Sequence, residues 1–135
     1  MIIELDYHHS PHAVSLVNYH IVFTPKYRRS LLVGEIRTRL MEVLQSVARD
    51  NKWRIAGLEI MPNHVHLFVS ADTRTRPEIV VKRFKGRSSH VLRKEFPELL
   101  KMPTLWTRSY FLSTAGNVSS ETILKYIKNQ WGKKF

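Results

Sequence analysis

The segment Met61–Val69 constrains this chain more than any other. It reads Met-Pro-Asn-His-Val-His-Leu-Phe-Val, so two histidines flank one apolar residue at the head of an alternating run. Successive side chains of a β-strand point to opposite faces, which places His64 and His66 on one face. Val65 and Leu67 then share the other face. Two imidazoles side by side on a rigid strand supply half of a divalent metal site.

The surrounding patterns predict one α+β domain over residues 1–135, with the order β-α-β-β-α-β and a further C-terminal helix. The predicted elements are a strand Val14–Phe23, a helix Glu35–Asn51, a hairpin of Trp53–Ile60 and His64–Ser70, a helix Pro77–Phe96 and a strand Trp106–Ser113. This is the ferredoxin-like split βαβ arrangement, whose first and third strands lie at the centre of an antiparallel sheet. Residues 1–13 are expected to form a loosely held arm, and residues 119–135 the last helix.

The charge balance favours a polyanionic partner. The chain has 22 Lys+Arg against 11 Asp+Glu, a net charge of +11. The excess is clustered, since only Glu78 is acidic between Arg74 and Lys94. Six basic residues are the candidate nucleic-acid contacts: Lys26, Arg28, Arg83, Lys85, Arg87 and Lys125.

Composition also excludes several classes of protein. The chain has no cysteine, so disulfides and thiolate metal sites are impossible. No apolar stretch approaches the length of a membrane span, and the first residues lack the pattern of a signal peptide. We therefore expect a cytoplasmic protein without a membrane partner.

The predicted last helix offers the groups that the histidine pair lacks. Tyr126 and Gln130 are four residues apart and so are neighbours on one helical face. The Gln130 carbonyl oxygen can be a third ligand to Mg²⁺ or Mn²⁺. Tyr126 is the candidate nucleophile, which needs nearby cations and a metal-activated electrophile because a phenol is scarcely ionised at neutral pH. The alternatives are a half-buried packing role for Tyr126 and a core role for the two histidines. His20 on the first strand could approach His64 and His66 across the sheet, or it could be a hydrogen-bonded core residue.

Three blocks together resemble a known family. They are Asn18–Arg28 (Asn-Tyr-His-Ile-Val-Phe-Thr-Pro-Lys-Tyr-Arg), Met61–Leu67, and Tyr126–Gln130 (Tyr-Ile-Lys-Asn-Gln). This combination, at these intervals, is similar to the small single-tyrosine HUH transposases of bacterial and archaeal insertion sequences. HUH denotes a histidine, a hydrophobic residue and a histidine.

The resemblance implies a defined chemistry. Such enzymes cut single-stranded DNA at hairpin-marked ends of their element and rejoin it to a target. By this resemblance His64, His66 and Gln130 hold Mg²⁺ or Mn²⁺, and Tyr126 forms a 5′-phosphotyrosine link that leaves a free 3′-OH. It also implies a homodimer in which the tyrosine helix of one subunit serves the histidines of the other.

A second function remains open at this point. A ferredoxin-like sheet with a basic surface can bind single-stranded DNA or RNA hairpins without chemistry, as RNA-recognition modules do. The same fold serves both roles, so the fold alone does not separate them. A transposase domesticated for another task would have the same sequence features.

Overall fold

The computed structural model describes residues 2–3 and 16–114, which form an antiparallel sheet with two helices on one face. In chain order the elements are β1 (Ile2–Ile3), β2 (Leu16–Phe23), a 3₁₀ turn (Lys26–Arg28), α1 (Gly34–Asp50), β3 (Arg54–Met61), β4 (His64–Asp72), α2 (Pro77–Glu95), a 3₁₀ segment (Pro97–Lys101) and β5 (Phe111–Thr114). The strand order is β1-β3-β4-β2-β5. The predicted α+β class is confirmed, and β2 and β4 are central as expected.

Both described helices lie within one residue of their predicted bounds. The buried face of α1 carries leucines and valines at helical spacing, and the buried face of α2 includes Phe84 and Leu92. Pro77 occupies the first turn of α2, where its missing N–H costs nothing. Pro97 follows the end of the helix. Neither helix in the described part of the chain is long and apolar enough to cross a membrane.

The side chains of β4 alternate as the sequence predicts. Val65, Leu67 and Val69 lie in the hydrophobic core with the apolar faces of α1 and α2. His64 and His66 lie on the opposite face, and they too are buried. A fully buried leucine such as Leu67 stabilises the fold by about 1.5–3 kcal/mol. Core packing therefore holds β4, the strand that carries the histidines, in a fixed position.

The turn between β3 and β4 is fixed from outside the hairpin. The N–H of Leu32, a residue with 0% exposure, donates to the Pro62 carbonyl at 2.9 Å. The Arg37 Nε donates to the carbonyl of Ile60 at 3.3 Å. These bonds hold the start of β4, and hence His64, against the segment before α1.

The last predicted strand is shorter than expected and begins later. The strand is Phe111–Thr114 rather than Trp106–Ser113. Trp106 makes only an isolated bridge with Pro25, which has no N–H to continue a ladder. The buried Trp106 indole donates instead to Ser88 Oγ at 3.0 Å. Core packing of this tryptophan overrides the strand propensity of the segment.

Two residues of the predicted N-terminal arm form a short strand. Ile2 and Ile3 form β1 and pair with Leu58 and Gly57 of β3. The edge of β3 presents unpaired backbone groups, and short β-branched segments satisfy them well. The predictions for the rest of the arm, for Val14, and for the helix of residues 119–135 lie outside the described residues.

Candidate metal centre

The histidine pair, His64 and His66, is confirmed as a pair on one face of β4. Their ring centroids are 5.0 Å apart and the ring planes meet at 80°. His64 is 9% exposed and His66 is fully buried. The pair lies at the end of β4 that follows the tight turn, so two imidazoles are presented together by a strand with little freedom to move.

Asn63 orients the first histidine. Its side-chain Oδ1 lies 2.7 Å from Nδ1 of His64. An amide oxygen only accepts hydrogen bonds, so Nδ1 of His64 carries the proton and donates it. In a neutral ring the other nitrogen, Nε2, then bears the lone pair. This is how the second ring nitrogen of a metal-binding histidine is normally held.

Sequence reasoning missed this role of Asn63, which it treated only as part of the turn. The available signal was its position immediately before His64, because a short amide at a turn commonly bonds to its near neighbours. The turn residue and the candidate ligand are thus one local unit.

His20 approaches the second histidine from β2. Its Nε2 lies 3.2 Å from Nδ1 of His66. The ring of His20 stacks on Phe68 at 4.3 Å and meets the edge of Phe111 at 5.5 Å. The sequence allowed His20 either to approach the pair or to be a hydrogen-bonded core residue, and the structure combines the two.

All three rings are held in the neutral state by their surroundings. Burial lowers the pKa of His20 to about 4. Burial, with His20 and His64 nearby, lowers the pKa of His66 to about 3. Burial, and then the positive charge of Arg28, lowers the pKa of His64. Because only neutral imidazole binds a metal ion, these shifts favour binding at and below neutral pH.

The described residues could supply two nitrogen ligands to a metal ion, but they do not form a complete ligand set. No group of three His, Cys, Asp or Glu side chains in the described ranges could hold an ion. Glu59 pairs with His66 across β3 and β4, but the two do not close a site with His64. Neutral imidazoles fit a divalent ion, and oxygen atoms from elsewhere would complete its shell. Gln130 and Tyr126 lie outside the described residues.

A largely apolar pocket begins beside the histidine pair. Its volume is about 360 Å³, and it is lined by Val22, Phe23, Thr24, Arg28, Thr107, Ser109, Tyr110 and Phe111. Val22 pairs directly with His66 across the sheet, so the pocket adjoins the candidate site. Arg28 is its one charged residue, and the same guanidinium is close enough to act on His64.

Backbone strain marks the turn that carries this arginine. Tyr27 and Arg28 have φ values of 61° and 52°, in the left-handed region that side chains other than glycine rarely adopt. Such conformations cost about 1–3 kcal/mol each and concentrate at functional sites. The N–H of Arg28 donates to the Pro25 carbonyl at 2.8 Å, which closes the turn.

The other predicted DNA contacts already have partners within the protein. Arg83 donates to Asn51 Oδ1 at 2.5 Å and lies over the Trp53 ring. Arg87 is 3.9 Å from Asp50.

Two lysines complete this set. Lys85 donates to the Thr107 carbonyl at 2.6 Å, and burial lowers its pKa. Lys26 lies over the ring of Tyr27. Lys26 and Lys85 both line a second pocket of about 640 Å³ between α2 and residues 104–110. Lys125 lies outside the described residues.

The structure thus shows a small α+β protein that carries a buried histidine pair on a central strand. Comparison with known proteins identifies its family. Residues 13–130 match the family model described as "Transposase IS200 like". The chain belongs to this family.

Individual relatives agree with this assignment. The chain is 33% identical over 121 residues to the ISDra2 transposase TnpA of Deinococcus radiodurans, covering 87% of this chain and 86% of that one. It is 31% identical over 115 residues to the transposase for insertion sequence element IS200 of Salmonella typhimurium, covering 83% and 75%. The chain is therefore a transposase of the insertion-sequence type.

Solved structures share the fold. A crystal structure of a protein from Deinococcus radiodurans R1, identified as a transposase, matches with a TM-score of 0.73 and 32% identity, covering 92% of this chain and 98% of that one. A REP-associated tyrosine transposase bound to a REP hairpin matches with a TM-score of 0.62 and 14% identity, covering 95% and 76%. The second likeness concerns the fold alone.

Proposed function

We propose that this transposase cuts and rejoins single-stranded DNA at hairpin-marked element ends, with a divalent metal ion and a 5′-phosphotyrosine intermediate on Tyr126. The observation that carries this proposal is the histidine pair itself. Both rings are buried and neutral, and each has a hydrogen-bond partner at Nδ1. If His64 and His66 were only core residues, their rings would not need to be held through the same nitrogen atom.

The metal ion would be held by His64, His66 and the side-chain oxygen of Gln130. Mg²⁺ or Mn²⁺ is the expected ion, because the remaining positions would take oxygen atoms from amide, phosphate and water. When bound, the ion would withdraw charge from the phosphoryl group and make its phosphorus more electrophilic. The absence of a third ligand among the described residues agrees with a contribution from the C-terminal segment.

Tyr126 would supply the nucleophile. Its phenolic oxygen attacks phosphorus and forms the P–O bond of a 5′-phosphotyrosine, while the bond from phosphorus to the 3′ oxygen breaks. The proton lost from the phenol is balanced by one taken up at the departing 3′-OH. The new ester keeps the energy of the broken phosphodiester, so a 3′-OH can reverse the step at a new site without ATP.

Arg28 is the best-placed of the predicted DNA contacts. Its guanidinium lines the pocket that begins beside His66, and its charge already acts on His64. A guanidinium binds phosphate oxygens in a fixed geometry. Thr24, Thr107 and Ser109 line the same pocket. A strand that places a phosphate at the histidine pair could extend along this pocket.

A hairpin substrate and a homodimer complete the proposal. The structurally similar REP-associated tyrosine transposase is bound to a REP hairpin, and the net charge of +11 suits a folded DNA end. If the C-terminal segment of one subunit served the histidines of its partner, each active site would be shared.

The centre of the described sheet does not suit the alternative of a passive RNA-recognition-like binder. That mode of binding stacks bases on exposed aromatic side chains of the sheet face. His20, His66 and Phe68 on that face are each at most 4% exposed, whereas Phe111 on the edge strand of the same face is 45% exposed. The centre of the described face is therefore closed to base stacking, and one exposed aromatic side chain lies at its edge.

One experiment tests the proposed chemistry. Labelled single-stranded DNA carrying a hairpin is incubated with the protein, with and without Mn²⁺, and resolved on a denaturing protein gel. We expect a metal-dependent covalent adduct that Tyr126→Phe abolishes and that Tyr19→Phe, a change in the core on the helix side of the sheet, retains. Cleavage by Tyr126→Phe at the full rate would overturn the nucleophile. His64→Ala should abolish cleavage while hairpin binding persists.

A further inference from the structure

His20 is buried at the centre of the sheet and faces Nδ1 of His66, a candidate metal ligand. It lies on β2, one of the two central strands, and is 1% exposed. Its Nε2 is 3.2 Å from Nδ1 of His66. Nε2 of His20 is thus directed at another imidazole ring.

The two rings are arranged for a linear hydrogen bond. Their planes differ by only 8° and their centroids are 5.4 Å apart. The centroid separation exceeds the N···N distance by about the width of one imidazole ring, so the nitrogens face each other edge to edge. One proton lies between them, on either His20 or His66.

The location of that proton decides whether His66 can bind a metal ion. If His20 donates, Nδ1 of His66 accepts, and the neutral His66 ring carries its own proton on Nε2. That nitrogen is then closed to a metal ion. If His66 donates through Nδ1, its Nε2 bears a lone pair directed away from His20.

We propose that His20 is a positioning residue, which accepts the Nδ1 proton of His66 and so holds His66 in the tautomer that binds a metal ion through Nε2. Asn63 imposes the same tautomer on His64. The pair is thereby held by two different residues from two different elements. This inference rests on the proposed function, because it assigns a role toward the metal ion of that same site.

The surroundings of His20 suit a fixed acceptor. Its ring stacks on Phe68 with planes only 6° apart, and Phe111 closes its edge. These contacts prevent the ring from turning away from His66. The second-layer partners of metal-bound histidines set tautomer and orientation in this way, and their loss typically costs about 10–100-fold in metal affinity.

The test reads the tautomer directly in the metal-free protein. Long-range ¹H–¹⁵N NMR on ¹⁵N-histidine protein distinguishes Nδ1–H from Nε2–H rings, and His66→Gln assigns the His66 signals. We expect His66 to be the Nδ1–H form in the wild type. His20→Gln should retain that form, because its amide oxygen can accept at the position of Nε2. His20→Phe, which keeps the ring and removes the acceptor, should lose it.

Mn²⁺ affinity by calorimetry gives the second readout. His20→Phe should bind Mn²⁺ about 10–100-fold more weakly, and His20→Gln should recover most of the loss. His20→Met replaces the Phe variant if that one does not fold. An Nε2–H form of His66 in the wild type, or an Nδ1–H form retained in His20→Phe, would overturn the role of His20. If the wild-type protein shows the Nδ1–H form of His66 but binds no Mn²⁺, the role of His20 is supported and the proposed metal site is contradicted.

Discussion

Asn63 Oδ1 lies 2.7 Å from Nδ1 of His64, so the residue that closes the β3–β4 turn also fixes the proton of the first histidine. We expect Asn63→Leu to lower the affinity for Mn²⁺ by about 10–100-fold, because His64 then loses the partner that selects its tautomer. Asn63→Asp retains an acceptor and should keep the affinity at or above the wild-type value. Calorimetric titration with Mn²⁺ measures both, and equal affinities for the Leu and Asp variants would contradict this role.

Folding stability should fall in mild acid because of His20 and His66. Burial lowers the pKa of His20 to about 4 and that of His66 to about 3, whereas an unfolded histidine titrates near 6.5. Below about pH 6.5 the unfolded chain therefore binds more protons than the folded one. The free energy of unfolding then declines with falling pH, by up to about 1.4 kcal/mol per unit for each residue. Above pH 7 neither residue makes the free energy of unfolding depend on pH.

Urea unfolding at pH 7.5, 6 and 5 checks this dependence. The midpoint should drop between pH 6 and 5, and His20→Phe should reduce the drop because one group no longer titrates. His90, which is exposed on α2, provides the matched control, and His90→Gln should leave the drop unchanged. A midpoint that stays constant from pH 7.5 to 5 would show that the buried histidines do not couple to folding.

The sequence predicted the face of the sheet correctly because alternation is a local property. His64 and His66 share a face for the same reason that Val65 and Leu67 reach the core, and no tertiary information was needed. The helix bounds were also local, since periodicity, Pro77 and Pro97 defined them. The central position of β2 and β4 followed from the order of elements.

The remaining features depend on contacts between distant segments. The 3.2 Å approach of His20 to His66 joins residues 46 positions apart, and no periodicity reports such a distance. Trp106 lies outside the observed strand because its indole is buried and donates a hydrogen bond to Ser88. A strained turn places Arg28 beside the histidines. Residue propensities disfavour such a turn, so they did not predict it.

Lys85 is a predicted DNA contact that also has partners within the protein. Its ammonium donates to the Thr107 carbonyl at 2.6 Å and lies 5.4 Å from the Tyr110 ring. Lys85→Met should therefore destabilise the fold by about 1–3 kcal/mol, the usual cost of losing a charged hydrogen bond. The measurement is the free energy of unfolding in urea.

Lys82 gives the matched comparison on the same helix, because it is exposed. Lys82→Met should change stability by less than about 0.5 kcal/mol. If the basic surface of α2 contacts phosphates, this variant should instead lower the slope of log affinity against log salt by about one. A Lys85→Met protein as stable as Lys82→Met would contradict the internal role of Lys85.

Arg28 should matter more for DNA cleavage than any of its basic neighbours. It lines the pocket beside Val22 and acts electrostatically on His64, so it can offset charge that develops on a phosphate there. We expect Arg28→Gln to slow cleavage of hairpin DNA by about 100-fold, a typical loss for one such donor. Arg28→Lys should restore part of the rate, because the charge returns without the planar fork.

Arg29→Gln is the control for this substitution. Arg29 is exposed and adjacent in sequence, but it lines neither of the two pockets described above. Both substitutions remove one positive charge, so any general effect of net charge on DNA affinity is the same for the two. Because glutamine meets the same backbone restriction as arginine at φ 52°, the turn gains no new strain. Single-turnover cleavage rates at saturating DNA should then differ widely between the variants, and equal rates would remove Arg28 from the site.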